Sequence, residues 1–145
     1  MLNQDFKEFV RLLNEYKVEY LVVGGYAVAF HGYPRYTKDM DIWINRNAIN
    51  ANRILSALDA FGFGDLDLTE EDFLNEDHII QLGYPPARID IITGLEGVDF
   101  EDCYTSKVTE RIDDIDIKFI DLESLRKNKK ATGRIQDLAD LEHLA

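Results

Sequence analysis

Apolar residues at Phe6, Phe9, Val10 and Leu13 recur at i, i+3, i+4 and i+7. This spacing predicts one buried face of an amphipathic helix, with Asn3 or Asp5 as its cap. Tyr20 to Val23 is a short β-prone run that ends in Gly24-Gly25, and Tyr26 to Phe30 reads as a brief helix before Gly32 and Pro34 interrupt it. From Lys38 to Ile44 the period changes to two. Asp39, Asp41 and Trp43 fall on one face of a strand, while Met40, Ile42 and Ile44 fall on the other. One face is core and the other carries carboxylates. Ile54, Leu55, Leu58 and Phe61 share a helix face between an Asn47 cap and a Gly62 stop.

Residues 64–77 are acidic and poorly patterned, which predicts a loop with a short helix around Glu70 to Leu74. His78 to Leu82 and Arg88 to Thr93 read as two strands joined by the turn Gly83-Tyr84-Pro85-Pro86-Ala87. In the second of them Arg88, Asp90 and Ile92 share a face. Lys107 to Ile112 and Ile115 to Ile120 form a hairpin around Asp113-Asp114, and Leu122 to Ala131 and Ile135 to Leu144 form two helices separated by Gly133. This order predicts an α/β (or α+β) fold, a mixed sheet with helices mainly on one face. A chain of 145 residues has room for one core, so a single domain spans 1–145, with a C-terminal helical pair at about 121–145.

Charge and composition narrow the function classes. Sixteen Lys and Arg against 28 Asp and Glu leave a net charge of −12, the wrong sign for a protein that grips nucleic acid or an anionic membrane by bulk charge. Contact with a polyanion has to be local. The single cysteine, Cys103, excludes an intrachain disulfide and a cysteine-based zinc site and suits a reducing compartment. No apolar run approaches the roughly 20 residues of a membrane span, and the N-terminus lacks signal-peptide features. A cytoplasmic protein is expected.

The candidate chemistry lies in the alternating strand. Two aspartates two residues apart project from one face with Cα atoms roughly 6.5 Å apart, close enough to share one cation or hold a pair. Such a set suits magnesium, which takes a few carboxylates together with waters and substrate phosphates. A solvated strand face would read the same way from Asp39 and Asp41 alone. Gly24-Gly25 between a strand and a helix lets backbone approach an anion. The Gly-x-x-x-x-Gly-Lys and Gly-x-Gly-x-x-Gly fingerprints are both absent.

Val22-Val23-Gly24-Gly25-Tyr26-Ala27-Val28 followed by Arg35-Tyr36-Thr37-Lys38-Asp39-Met40-Asp41-Ile42 resembles the signature of the DNA polymerase beta type nucleotidyltransferases. That signature is Gly-Gly or Gly-Ser after an apolar residue, a spacer of about a dozen residues, then Asp-x-Asp. The Arg-x-Thr-x-Asp-x-Asp form and the tail from Asn128 to Leu141 resemble the small bacterial branch containing the abortive-infection (AbiEii-like) nucleotidyltransferase toxins.

The resemblance implies the nucleotidyltransferase fold and a two-metal transfer of a nucleoside monophosphate from a nucleoside triphosphate (NTP) to an acceptor hydroxyl. Asp39 and Asp41 would hold two Mg²⁺ ions. Asp90 in Arg88-Ile89-Asp90-Ile91 matches the third carboxylate, a metal ligand that helps deprotonate the acceptor, with Asp116 as its rival. Gly24 and Gly25 would cradle phosphates, with Thr37 and Arg35 nearby, although Arg35 reads equally as a surface charge. Lys129, Lys130 and Arg134 belong to the chain's one dense basic run, from Arg126 to Arg134. They would neutralise the triphosphate or face the acceptor; as a plain helix face they would be solvated, with the two helices packed through Leu138 and Leu141. Asp137 and Asp140 are expected to orient Arg134 and Lys130. Trp43 suits either a base stack or the core, and His31 either packing or support behind the residues that touch the nucleotide. The acceptor classes are tRNA through the local basic patch, a protein side chain, or a small cationic molecule such as an aminoglycoside. A toxin-antitoxin role would add an antitoxin partner, and a noncatalytic nucleotide-binding protein is the remaining alternative.

Overall fold

The computed structural model describes residues 3–33, 39–83 and 88–144. Helix α1 (Gln4–Glu15) starts where the Asn3 side chain accepts the Asp5 amide at 2.7 Å, and it buries Phe6, Phe9, Val10, Leu12 and Leu13. Strand β1 (Tyr20–Val23) is buried along its whole length and runs into α2 (Gly24–Phe30) with no intervening loop. After β2 (Met40–Ile44), Asn47 caps α3 (Ala48–Phe61), and Gly62 ends it in the left-handed conformation, φ 102°. Two short 3-10 turns (Gly64–Leu66 and Glu70–Phe73) lead to β3 (Ile79–Leu82) and β4 (Ile89–Ile92). Helix α4 (Phe100–Thr105), a hairpin of β5 (Val108–Ile112) and β6 (Ile115–Phe119), and helices α5 (Leu122–Thr132) and α6 (Ile135–His143) complete the chain.

The strands form one mixed sheet in the order β3-β4-β2-β1-β6-β5. β1 is antiparallel to β2 and parallel to β6, β2 is parallel to β4, and the two edge pairs β3·β4 and β5·β6 are antiparallel. Asp113 and Asp114 both take positive φ, 51° and 66°, which is what a two-residue turn needs to follow the twist of the hairpin. α1 packs on α3 and β6. No helix among the described residues is long and apolar enough to cross a membrane.

Met40, Ile42 and Ile44 join the core with Phe6, Phe9 and Ile54, as the alternation requires. Trp43, on the aspartate side of β2, is only 2% exposed because α4 closes over it and sets the Phe100 ring edge-on at 5.0 Å. It is therefore a core residue. Helix α4 itself is not anticipated by apolar spacing; six residues are too few to show a helical period, and its visible signal is the Asp99 cap, which accepts the Asp102 amide.

Asn50, 1% exposed in the first turn of α3, ties three segments together. Its Oδ1 accepts the Glu19 amide at 2.7 Å, and its Nδ2 donates to the carbonyls of Glu19 and Asn45 at 3.0 and 2.9 Å. Truncating it would leave three backbone groups without those partners, and buried polar groups so stranded cost more than the bonds are worth. Asn50→Ala is expected to lose about 3 kcal/mol of stability, read by denaturant unfolding at an unchanged m-value.

Candidate active site

Three aspartates meet at one end of the sheet because of register. Asp41 of β2 stands directly opposite Asp90 of β4 in the parallel ladder, and Asp39 precedes β2 where the Met40 amide bonds to the Arg88 carbonyl at 3.1 Å. All three line a cavity of about 550 Å³ together with Gly24, Lys129 and Arg134. Asp116, the rival third carboxylate, lies elsewhere on β6, where it is exposed and paired with Arg111 at 3.2 Å. His31 holds the Ile120 carbonyl through Nε2 at 2.7 Å and packs against Phe30.

Gly24 has φ +65°, and a Cβ there would lie 2.1 Å from Asp41 Oδ2. The glycine is thus required by a close approach to the protein's own carboxylate, on a backbone conformation that other residues rarely adopt. Gly25 is buried as the second residue of α2. Burial, reinforced by the like charges of Asp90 and Asp39, raises the Asp41 pKa from its ordinary 3.8 to about 6, although Lys129 and Arg88 pull it down.

The guanidinium of Arg88 spans two of the aspartates. Its Nε donates to Asp90 Oδ1 at 2.9 Å, and its Nη2 donates to Asp39 Oδ2 at 2.8 Å and to Asp90 Oδ2 at 3.1 Å. The period-two pattern places Arg88 on the face of Asp90, but it carries no sign that the fork reaches across to β2. Among the described residues, no three His, Cys, Asp or Glu side chains are grouped around one point as metal ligands.

The basic run expected in the C-terminal helices is dispersed. Lys129 is buried, with its ammonium 3.1 Å from Asp137 Oδ1 and 3.2 Å from Asp140 Oδ2. Arg134 is largely exposed on the cavity wall and donates from Nε to Asp137 Oδ2 at 2.8 Å. Burial would raise the Asp137 pKa, but bonds from Arg134, Thr132 and Lys129 outweigh it and hold the group at about 2. Arg126 caps the Leu144 carbonyl at 2.7 Å, and Lys127 lies 3.8 Å from Glu123. Lys130 is exposed and outside this cavity, since one residue along a helix turns a side chain by about 100°. Two expectations are corrected here. Asp137 and Asp140 receive Lys129 in place of Lys130, and α6 packs through those carboxylates and Leu144, while Leu138 is 51% exposed. Sequence patterning also misses Asn128, whose Nδ2 holds the Glu96 carbonyl at 2.9 Å, and Thr132, which donates to Asp137 at 2.5 Å. Arg35 and Thr37 lie outside the described residues.

No protein-family model matches the chain, and no curated protein does. Solved structures do. A Thermotoga maritima protein described as a putative nucleotidyltransferase superposes with a TM-score of 0.62 over 94% of this chain and 88% of its own, at 18% identity. An antigenic nucleotidyltransferase-like protein from Paracoccidioides brasiliensis matches with a TM-score of 0.51 over 99% of this chain and 75% of its own, also at 18% identity. The chain has the fold of these nucleotidyltransferase-like proteins.

Two stability tests follow from the charges. The folded pKa of Asp41 lies above the unfolded one, so folding favours its protonated form. Stability associated with this group is full below about pH 4 and falls as pH rises through 6. In metal-free buffer, Asp41→Asn is expected to raise stability by roughly 2 kcal/mol at pH 8, and melting curves from pH 8 down to pH 4 should show the gain fading. Lys129→Met leaves two buried carboxylates without their ammonium, so it is expected to cost about 3 to 5 kcal/mol, far more than a solvated lysine, as measured by denaturant unfolding at pH 7.

Proposed function

We propose that the chain is a magnesium-dependent nucleotidyltransferase that moves a nucleoside monophosphate from a nucleoside triphosphate to an acceptor hydroxyl. The observation that carries this reading is the convergence of Asp39, Asp41 and Asp90 on one cavity beside Gly24. The fold supports it independently. Donor chemistry fits Mg²⁺, which prefers hard oxygen ligands in small number, and the burial of Asp41 beside the like charges of Asp90 and Asp39 marks a place that would gain from a cation. Asp39, Asp41 and Asp90 would hold the metal. When bound, Mg²⁺ neutralises charge on the transferring phosphoryl group and lowers the pKa of an acceptor hydroxyl.

The chain's own residues then have distinct tasks. Gly24 keeps the cavity wall free of a side chain, and Gly25 follows it as a buried residue of α2. Arg134 and Lys129 bring positive charge to that wall, Arg134 as the exposed one of the two. The acceptor oxygen bonds to the α-phosphorus, the bond to the β-phosphate oxygen breaks, pyrophosphate leaves, and a carboxylate oxygen of Asp90 takes the hydroxyl proton. Arg35 and Thr37 are proposed as further contacts to the triphosphate, on the resemblance of their sequence block alone. The Arg35-Tyr36-Thr37-Lys38-Asp39-Met40-Asp41 block and the Asn128 to Leu141 tail support a place in the abortive-infection-like branch. Because Arg126 and Lys129 are engaged internally and the chain carries a net charge of −12, a small cationic molecule or a protein side chain is a better acceptor for this surface than tRNA.

The test supplies each labelled nucleoside triphosphate with Mg²⁺ and cell extract and follows transfer of the label. Wild type is expected to label an acceptor, and Asp90→Asn to slow this by at least about 100-fold with its fold intact. Failure of wild type with all four nucleotides would remove the transferase reading.

A further inference from the structure

Asp90 has both carboxylate oxygens engaged by Arg88, and the same Nη2 that holds Asp90 Oδ2 also holds Asp39 Oδ2. One nitrogen therefore sits between two carboxylates from neighbouring chain segments, the place from which a bridging cation would be held. Arg88 is only partly buried, with 28% of its side chain exposed, and it stands outside the cavity lining, so it reaches the pair from the flank. The segment before it, residues 84–87, is outside the described residues. A guanidinium is always charged and its planar fork matches a carboxylate with two parallel bonds. Bringing Asp39, Asp41 and Asp90 together without any cation would be strongly unfavourable at low dielectric.

We propose that Arg88 is a resident counter-cation for this carboxylate cluster, and that its guanidinium has to release Asp39 and Asp90 before those two aspartates together can ligate a divalent ion. The inference rests on the metal-binding part of the function proposed above. It makes Arg88 a positioning residue in the ligand-free protein and a competitor of the metal during loading. The carboxylates of Asp39 and Asp90 are the ones turned to the arginine fork.

Competition and simple orientation differ in sign. If Arg88 competes, removing it strengthens metal binding; if it only orients Asp90, removing it weakens metal binding. The measurement is Mn²⁺ affinity of the nucleotide-free protein, by electron paramagnetic resonance of free Mn²⁺, for wild type, Arg88→Gln and Arg88→Lys, with melting temperatures at zero and saturating Mn²⁺. Arg88→Gln is expected to bind Mn²⁺ at least about ten-fold more tightly than wild type. It should melt earlier than wild type without metal and recover with it. Arg88→Lys keeps a charge but loses the fork, so it should fall between them and serves if the glutamine variant folds poorly. Equal or weaker Mn²⁺ binding in the variants overturns the proposal. The same titration with a nonhydrolysable triphosphate separates the two levels. Wild type that takes up Mn²⁺ there while the variants show no gain leaves the metal site standing and removes Arg88 as a competitor; no uptake by any form, with or without nucleotide, removes both.

Discussion

Everything at the cavity depends on the parallel pairing of β2 with β4 in a register that sets Asp41 against Asp90. The juxtaposition of two carboxylates is unfavourable in itself, so it has to be imposed by something stronger. That something is the opposite face of the sheet. Met40 and Ile42 on β2, with Ile89 and Ile91 on β4, are nearly fully buried, and a slip of one residue would exchange the core and carboxylate faces along the strand. Apolar burial over several residues outweighs the repulsion of one pair, and the like charges stay together because the core holds them there.

The C-terminal helices solve a related problem with inverted polarity. Helix α6 turns Asp137 and Asp140 inward and leaves Ile135 and Leu138 exposed, at 89% and 51%. An inward carboxylate is tolerable only when its charge is met, and Asp137 receives donors from Lys129, Thr132 and Arg134. A buried ionic cluster of this kind contributes little net stability compared with an apolar core, but it fixes geometry. Here the geometry matters, because Lys129 serves the tail carboxylates and also lowers the pKa of Asp41 across the cavity.

Period-two and helical spacing made nearly the whole order of elements legible, down to the Asn47 and Gly62 boundaries of α3 and the Asp113-Asp114 turn. It also put Asp39 and Asp41 on one strand face and Asp90 on the face of another. What spacing cannot convey is which ionic groups pair. Lys129 and Lys130 are chemically alike and adjacent, and only the helix phase relative to α6 decides that the first is buried and the second exposed. Helix α4 escaped because it is short, and Trp43 became decidable only once α4 was known to cover it.

The cations of this acidic protein are therefore informative by position more than by number. Arg88, the residue before β4, pairs with Asp39 and Asp90, Lys129 of α5 lines the same cavity while paired with Asp137 and Asp140, and Arg134 stands exposed at the wall. A triphosphate entering such a cavity faces carboxylates unless a further cation accompanies it, since two unit charges at 4 Å repel by about 4 kcal/mol even at an effective dielectric of 20. Metal and nucleotide would then bind with mutual assistance, each relieving the charge that opposes the other. On the proposed function, that coupling would follow from three aspartates held together by an apolar core.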